Sequence, residues 1–577
     1  MYERIGRKKF KIMAMDIESH NDSESIAKQE TSCWLGCYID ETSKVDDEKS
    51  YFYTIEEFLD RLKIDSTMVR TKNKGRSCAN VCVYIYNLSF EWSFILPVLL
   101  QRGFTFNPSL DEGNVFNSVS NKSCSSVWEV NIHFDGSNGI VKLRDLAKIF
   151  GGGLAEVAKS FNLPTQKGEI DYRLNRLHNH IVTEEEKEYC FKDTKIIVDI
   201  LEIMHNNQDK DFWNSISMAS YAMKNLVRTG FKRTYKPYKM YRLQYPELNE
   251  KETAFLREGV EGGITYAPDN WQFKVIENRI CHIDAHQMHP SSAYLHLFPY
   301  GEGEYFKGPN IPRGRICAVR IRITYDYVKL HSIIKLIGLP MITDKEIVVW
   351  SFEIPTMLKC YGNLQYEVIE GYAYKMRPLP WRNFYKNNYM QRLKAKANKD
   401  AYNTLRYKLL NNSSYGKLLE KPHNQMYANC INRYGIIDSD VITKDVEEWK
   451  TQAKYTYLPV GSCIPAYSRV CLIELALKIG WDKVVYFDTD SIFFIWDKES
   501  EAVWNKTNQR DFLGGWGLEE FIDRFQVTAP KRYKTETDGK AVIKAGGINF
   551  DDYKYKTNKD MVDKLISEGL TMRDALR

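Results

Sequence analysis

The stretch Val484-Val485-Tyr486-Phe487-Asp488-Thr489-Asp490-Ser491-Ile492-Phe493-Phe494 decides how the rest of the chain is read. Two short apolar runs, rich in β-branched and aromatic residues, enclose four polar ones, which is the pattern of a strand, a tight turn and a second strand over Lys483 to Trp496. Side chains alternate along a strand, so Asp488 and Asp490, two residues apart at the turn, can project towards one cation. Further apolar strands are expected at Arg279 to Ile283 and Cys317 to Ile323. Strands and helices interleave over this length, which fits an α+β or mixed α/β architecture.

The N-terminal half holds a second set of carboxylates. Phe10 to Met15 reads as a short strand ending in Asp16 and Glu18, whose spacing puts both on one face of a sheet. Another apolar run, Val81 to Ile85, precedes Tyr86-Asn87-Leu88-Ser89-Phe90-Glu91. A helix starts near Thr183, where Thr183 and Glu186 have capping-box spacing and apolar residues recur through Ile196, Ile197, Ile200 and Met204. Tyr189 and Asp193 share one face of that helix. Two-metal phosphodiester cleavage needs several carboxylates around ions about 4 Å apart and a group to orient the attacking water. Asp16, Glu18, Glu91 and Asp193, with Tyr189, are candidates for that set.

Net charge hides where the cations lie. The chain has 81 Lys and Arg against 75 Asp and Glu, a formal charge of +6, but Lys375 to Lys417 carries eleven Lys or Arg against the single acid Asp400, interleaved with seven aromatics. Basic and aromatic side chains together suit phosphates and bases, so a long helix-like region from Arg382 to about Lys417 is expected to bind nucleic acid or nucleotides. Lys408, Asn412 and Tyr415 fall at i, i+4 and i+7, one helical face, where a lysine can bind a triphosphate and a flat tyrosine, with the close-approach Gly416, can line a nascent base pair. Arg382, Arg392 and Lys394 are further candidates for triphosphate or template contacts.

These strings resemble family B DNA polymerases. Asp16-Ile17-Glu18, Asn87-Leu88-Ser89-Phe90-Glu91 and Tyr189-x-x-x-Asp193 look like the three exonuclease motifs in order, with Glu91 where the family has Asp; Tyr-x-Asp-Thr-Asp-Ser and Lys408-x-x-x-Asn412-Ser413-x-Tyr415-Gly416 look like two polymerase motifs. The resemblance implies an N-terminal RNase H-like 3′→5′ exonuclease domain followed by a right-hand polymerase. By it, Asp284 after Ile280-Cys281-His282-Ile283 joins Asp490 in holding magnesium, with Asp488 in support, and manganese able to substitute, two ions per site. His289, in Gln287-Met288-His289-Pro290, occupies the place of a tyrosine that excludes the ribose 2′-hydroxyl, which implies weaker discrimination against ribonucleotides. Lys167, in Lys167-Gly168-Glu169-Ile170-Asp171-Tyr172, assists the exonuclease. Asn87 and Phe90 hold the frayed 3′ end. Lys531 and Tyr533, in Lys531-Arg532-Tyr533, steady the primer terminus, and Gly262-Gly263 mark a template-binding linker in which Val260 replaces a tyrosine.

The compact length, the Lys167 segment and two insertions are similar to the protein-primed branch of the family, found in small phages and linear plasmids. That implies an exonuclease domain over 1–225 and a polymerase over 226–577: palm at about 226–300 and 456–533, insertions at about 301–374 and 418–455, fingers at about 375–417, and a short thumb at about 534–577 with a helix from about Asn558 to Glu568. It also implies DNA template and primer, dNTPs, a terminal protein primer and a single-stranded-DNA-binding protein as partners, with processive, strand-displacing synthesis.

The 577 residues call for more than one core, and the 13% aromatic content argues against disorder. Twelve scattered cysteines lack paired Cys-x-x-Cys spacing, which favours reduced thiols in a cytosol, the host bacterial cytoplasm if the chain is phage-encoded. No run approaches the roughly 18 apolar residues of a membrane span. A soluble monomer is expected. The rival readings are an exonuclease with a decayed polymerase half and a non-enzymatic single-stranded-DNA-binding replication scaffold. A scaffold has no need of two carboxylate sets on strand ends.

Overall fold

A computed structural model describes residues 1–20, 31–67, 79–168, 170, 180–268, 270–328, 342–421, 425–433, 435–443, 454–507 and 512–545. The chain forms two compact units. One gathers Met1–Asn225, Met390–Ser414 and Lys421–Lys454; the other gathers Leu226–Tyr389, Tyr415–Glu420 and the chain from Tyr455 onward. Glu169, Asp171 and Tyr172, and the expected helix from Asn558 to Glu568, lie outside the described residues.

The first unit is built on a mixed sheet whose order is Tyr51–Phe52, Cys33–Ile39, Lys8–Ser19, Val81–Ile85, Val141–Asp145, Val127–His133, Val115–Ser120, Thr105–Phe106. Lys8–Ser19, Val81–Ile85 and Val141–Asp145 run parallel, and parallel strands need cover on both faces. Met13, Met15 and Ile17 pack with the helices Ile55–Asp65 and Leu88–Gln101 in one core. Alternation turns Asp16 and Glu18 to the opposite face, against the helix Glu184–Asn206. That helix begins as expected: Thr183 Oγ1 accepts from Glu186 N, the Glu186 carboxylate accepts from Thr183 N, and three glutamates occupy its first turn. Within the same unit the hairpin Gln425–Ile431/Ile437–Thr443 is anchored by buried Asn429, which accepts from Trp92 Nε1 at 3.2 Å and donates to Ser439 Oγ at 2.9 Å.

The second unit centres on a five-stranded antiparallel sheet in the order Thr265–Tyr266, Val484–Asp488, Ser491–Ile495, Ile280–Ala285, Trp516–Ile522. A four-stranded sheet, Leu297–Lys307, Gln365–Pro378, Ile316–Tyr325 and Ile342–Trp350, follows from the segment expected as the first insertion. The helix Leu458–Ile479 corrects one expectation: by length and composition it is long and apolar enough to cross a membrane. Its most apolar window is 72% buried within the protein, and Val484, Phe487 and Phe494 share a core with its Leu472, Ile473 and Ala476, so it reads as a core helix.

The basic region departs from one continuous helix. Arg382–Ala397 and Ala401–Ser413 are separate, because Lys399 takes a left-handed φ of 57° and Asp400 caps the second helix by accepting from Asn403 N at 2.9 Å. The second helix ends at Ser413. Ser414 Oγ donates to the Asn411 carbonyl at 3.1 Å, and the chain tightens into a 3₁₀ turn over Tyr415–Leu418. Lys408 and Asn412 share a helical face, but Tyr415 does not extend it.

Candidate active sites

In the first unit, single oxygens of Asp16, Glu18 and Asp193 come within 4.8 Å of one another. Lys8–Ser19 supplies the first two, and the facing helix supplies Asp193 one turn beyond Tyr189, whose hydroxyl hydrogen-bonds the Asp193 carboxylate. Burial, and then the Asp193 charge, pushes the Asp16 carboxyl up to about 7. Asp193 is raised too, by its burial, although Lys167 Nζ lies 3.0 Å away and opposes the rise. The backbone at Gly168 brings Lys167 in: a Cβ there would meet the Tyr189 ring at 2.9 Å.

Glu91 is 2% exposed on the first turn of the helix that leaves the C-terminal end of Val81–Ile85. It stands outside the tight trio, yet burial and then the Asp16 charge hold its carboxyl well above the usual range. Among the described residues, Glu91 Oε2 and Asp193 Oδ1 are buried without a hydrogen-bond partner. Crowded carboxylates, orphaned oxygens and an all-oxygen donor set fit hard divalent cations such as magnesium or manganese. Phe90, 41% exposed, can offer a ring face to a base. Sequence reading missed Asp145, 1% exposed, which accepts from Asn87 N at 3.1 Å and from Ala147 N at 2.9 Å, and so holds Asn87 in its left-handed conformation with φ of 73°. That link spans 58 residues, and no local pattern announces it.

In the second unit the expected hairpin is present. Asp488 and Asp284 both pair with Ser491, on neighbouring strands, and Ala285 N donates to the Asp490 carbonyl at 2.8 Å. Among the described residues these three carboxylates do not close into a trio within 4.8 Å. Lys531 Nζ lies 2.6 Å from Asp488 Oδ1, while Tyr533 packs on Tyr486 and Phe493. The half-buried hairpin-tip aspartates are hard oxygen donors, also suited to a divalent cation. Gly263 lies against the turn, where a Cβ would meet Thr489 Cγ2 at 2.6 Å, whereas a Cβ on Gly262 would meet nothing within 4 Å among the described residues.

His289 sits with its ring centroid 4.8 Å from that of Tyr415. Burial, and then the Arg469 charge, lowers its pKa to about 4, so the ring is neutral near pH 7. Ser468 Oγ lies within hydrogen-bond reach of His289 Nδ1 at 2.8 Å, of Ser292 Oγ at 2.9 Å and of the Ile464 carbonyl at 3.0 Å.

Among the basic side chains, Arg392 and Lys408 line an open cavity of about 400 Å³ together with Lys396 and Lys399, which the sequence reading did not single out. Lys394 and Arg382 are exposed and outside that lining. Asn412 and Gly416 are also exposed.

A family model described as DNA polymerase type B, organellar and viral, matches residues 175–460. The DNA polymerase of Bacillus phage Nf is 26% identical over 88% of this chain and 88% of its own length. Over most of its length the chain is thus similar to the type B DNA polymerases of phi29-like phages. The DNA polymerase of Bacillus phage phi29 is 23% identical over 84% of each chain. Its solved complex with primer-template DNA and incoming nucleotide superposes with a TM-score of 0.77, covering 95% of this polymerase and 94% of that chain at 21% identity. The polymerase thus has the expected mixed α/β fold, an exonuclease-type domain followed by palm, fingers and thumb, and is a DNA-directed DNA polymerase.

Proposed function

We propose that this polymerase replicates a linear phage or plasmid genome in the host bacterial cytoplasm, starts synthesis from a terminal protein, and proofreads with a 3′→5′ exonuclease. The observation that carries the two-activity reading is the presence of two carboxylate centres, one in each compact unit. The phi29 enzyme has been solved with primer-template DNA and incoming nucleotide, and with single-stranded DNA. DNA and dNTPs are accordingly this chain's substrates, and a single-stranded-DNA-binding protein is a further partner.

Asp16, Glu18, Glu91 and Asp193 would hold ions at the exonuclease site, and Asp284 and Asp490, supported by Asp488, at the polymerase site. Magnesium, or manganese in its place, supplies charge neutralisation and a more acidic attacking water or hydroxyl. The Tyr189 phenol orients the attacking water from its bond to Asp193, and the Lys167 ammonium steadies that carboxylate. Asn87 and Phe90 hold the unpaired 3′ end. In the first unit Lys408 and Arg392, at the edge of their shared cavity, are suited to a triphosphate and Asn412 to a nucleotide; in the second unit His289 and Tyr415 are suited to a nucleotide. Lys531, Tyr533, Gly262, Gly263, Gly416, Arg382 and Lys394 contact primer or template.

Two reactions test this. On a primed single-stranded circle, the polymerase alone should make products longer than the circle; products that stop at one circle length would contradict strand displacement. Supplied with the terminal protein of its own genome and a labelled dNTP, it should transfer label to that protein. Label found only on DNA primers would contradict protein priming.

A further inference from the structure

The hairpin tip that carries Asp488 and Asp490 is held in place from outside. Thr489, a β-branched residue, takes a φ of 61°, a left-handed conformation that such side chains avoid. Its backbone N–H donates to the Ile264 carbonyl at 2.6 Å, Thr265 pairs with Asp488, and Gly263 makes room for the Thr489 methyl. The strap from Glu261 to Thr265 is therefore the support of the turn. From Glu261 to Ile264 that strap has no regular secondary structure.

The strap's own carbonyls are fixed by one side chain. Arg469 Nη1, from the core helix Leu458–Ile479, donates to the carbonyls of Glu261 at 2.9 Å and Gly262 at 2.8 Å. Its Nη2 donates to Glu353 Oε1 at 2.8 Å, and Trp350 N donates to the other carboxylate oxygen of Glu353 at 2.9 Å. Side chains of Arg469 and Glu353 are only 3% and 1% exposed. A buried ion pair is a weak source of stability, since apolar residues of similar volume commonly serve as well. What an apolar residue cannot provide is a rigid fork that grips two backbone oxygens and a carboxylate at once.

We infer that Arg469, oriented by Glu353, is a positioning residue for nucleotide incorporation: it grips the Glu261–Gly262 carbonyls so that the strap holds the strained Asp488–Asp490 turn in register. The inference rests on the reading of Asp488 and Asp490 as polymerase carboxylates. It also gives Gly262 and Gly263 a role distinct from touching template. The residue preceding Arg469, Ser468, bonds His289, so a single turn of this helix braces both the hairpin support and the residue beside Tyr415.

The test pairs primer-extension kinetics with hydrogen exchange on the full chain, comparing wild type, Arg469→Lys and Glu353→Gln. Lysine keeps the charge but loses the fork. Arg469→Lys should lower kcat for incorporation by about tenfold or more while KM for dNTP stays within about twofold, as expected when reacting groups are misplaced but binding survives. Glu353→Gln should shift kcat in the same direction by a smaller factor. In both variants the peptides spanning 261–266 and 484–491 should exchange faster than in wild type, with 88–101 unchanged. Unchanged kcat, or unchanged exchange in those two peptides, overturns the inference; if Arg469→Lys does not fold, Glu353→Gln decides by the same criteria. A wild type that extends no primer would instead remove the polymerase reading, and the exchange data would still decide whether Arg469 holds the turn.

Discussion

The two carboxylate centres are built on opposite plans. In the first unit, single oxygens of Asp16, Glu18 and Asp193 are pressed within 4.8 Å of one another, with buried Glu91 close enough to feel the Asp16 charge, and Lys167 as the nearby cation that opposes the rise of the Asp16 and Asp193 carboxyls. In the second, Asp488 and Asp490 on a hairpin and Asp284 on the neighbouring strand are half-buried, Lys531 already meets Asp488, and geometry is kept by a strained turn and its strap. The first centre is governed by charge and the second by backbone support. Perturbations of charge should therefore be felt most in one and perturbations of shape in the other.

The largest effect should come from shape. Gly263→Ala puts a methyl 2.6 Å from Thr489 Cγ2 and should lower primer extension by about a hundredfold, the scale of an ångström's misplacement. At Gly262 an added methyl meets nothing within 4 Å among the described residues, so Gly262→Ala should lower extension by a clearly smaller factor, and equal losses in both variants would break the contrast.

Charge comes next. Lys167→Met removes the cation 3.0 Å from Asp193 and should weaken primer degradation by about tenfold or more, with extension unchanged. Measuring 3′-end degradation against extension on the same substrate checks it, and equal losses in both would erase the distinction.

A pH series sharpens it further. Unfolded Asp16 releases its proton near its ordinary value of 3.8, whereas the folded carboxyl keeps it to about 7. Between those values the folded state binds more protons, so without divalent metal, stability should fall by a few kcal/mol as pH rises from about 4 to 7 and then level off. Raised Glu91 acts in the same sense. Denaturant melts in a chelator should show that decline and magnesium should flatten it; stability rising over this window would contradict the charge-governed reading.

The smallest effect concerns sugar choice. His289→Tyr should raise the preference for deoxyribonucleotides over ribonucleotides by several-fold, read from incorporation ratios. Equal ratios in the two proteins would remove His289 from sugar discrimination.

How much of this was legible depended on sequence distance. Asp16 with Glu18, Tyr189 with Asp193, and Thr183 with Glu186 are two to four residues apart, so strand and helix periods alone bring them together. The split of the basic helix at Lys399 was not foreseen because a single left-handed residue followed by an aspartate cap overrides the surrounding pattern. The helix Leu458–Ile479 contains Pro465 and draws its cover from tertiary packing, which no local period reports. Asp145 with Asn87 and Arg469 with Glu353 are 58 and 116 residues apart, and their partnership exists only once the fold does.

The central claim, that each unit carries its own chemistry, is tested most directly on a labelled primer-template with magnesium, comparing wild type with Asp490→Asn in the presence of dNTPs and with Asp16→Ala/Glu18→Ala in their absence. Extension lost only in Asp490→Asn, and primer degradation lost only in the double variant, is the predicted result. A wild type that binds DNA but neither extends nor degrades it, or a single variant that abolishes both activities, would contradict the account.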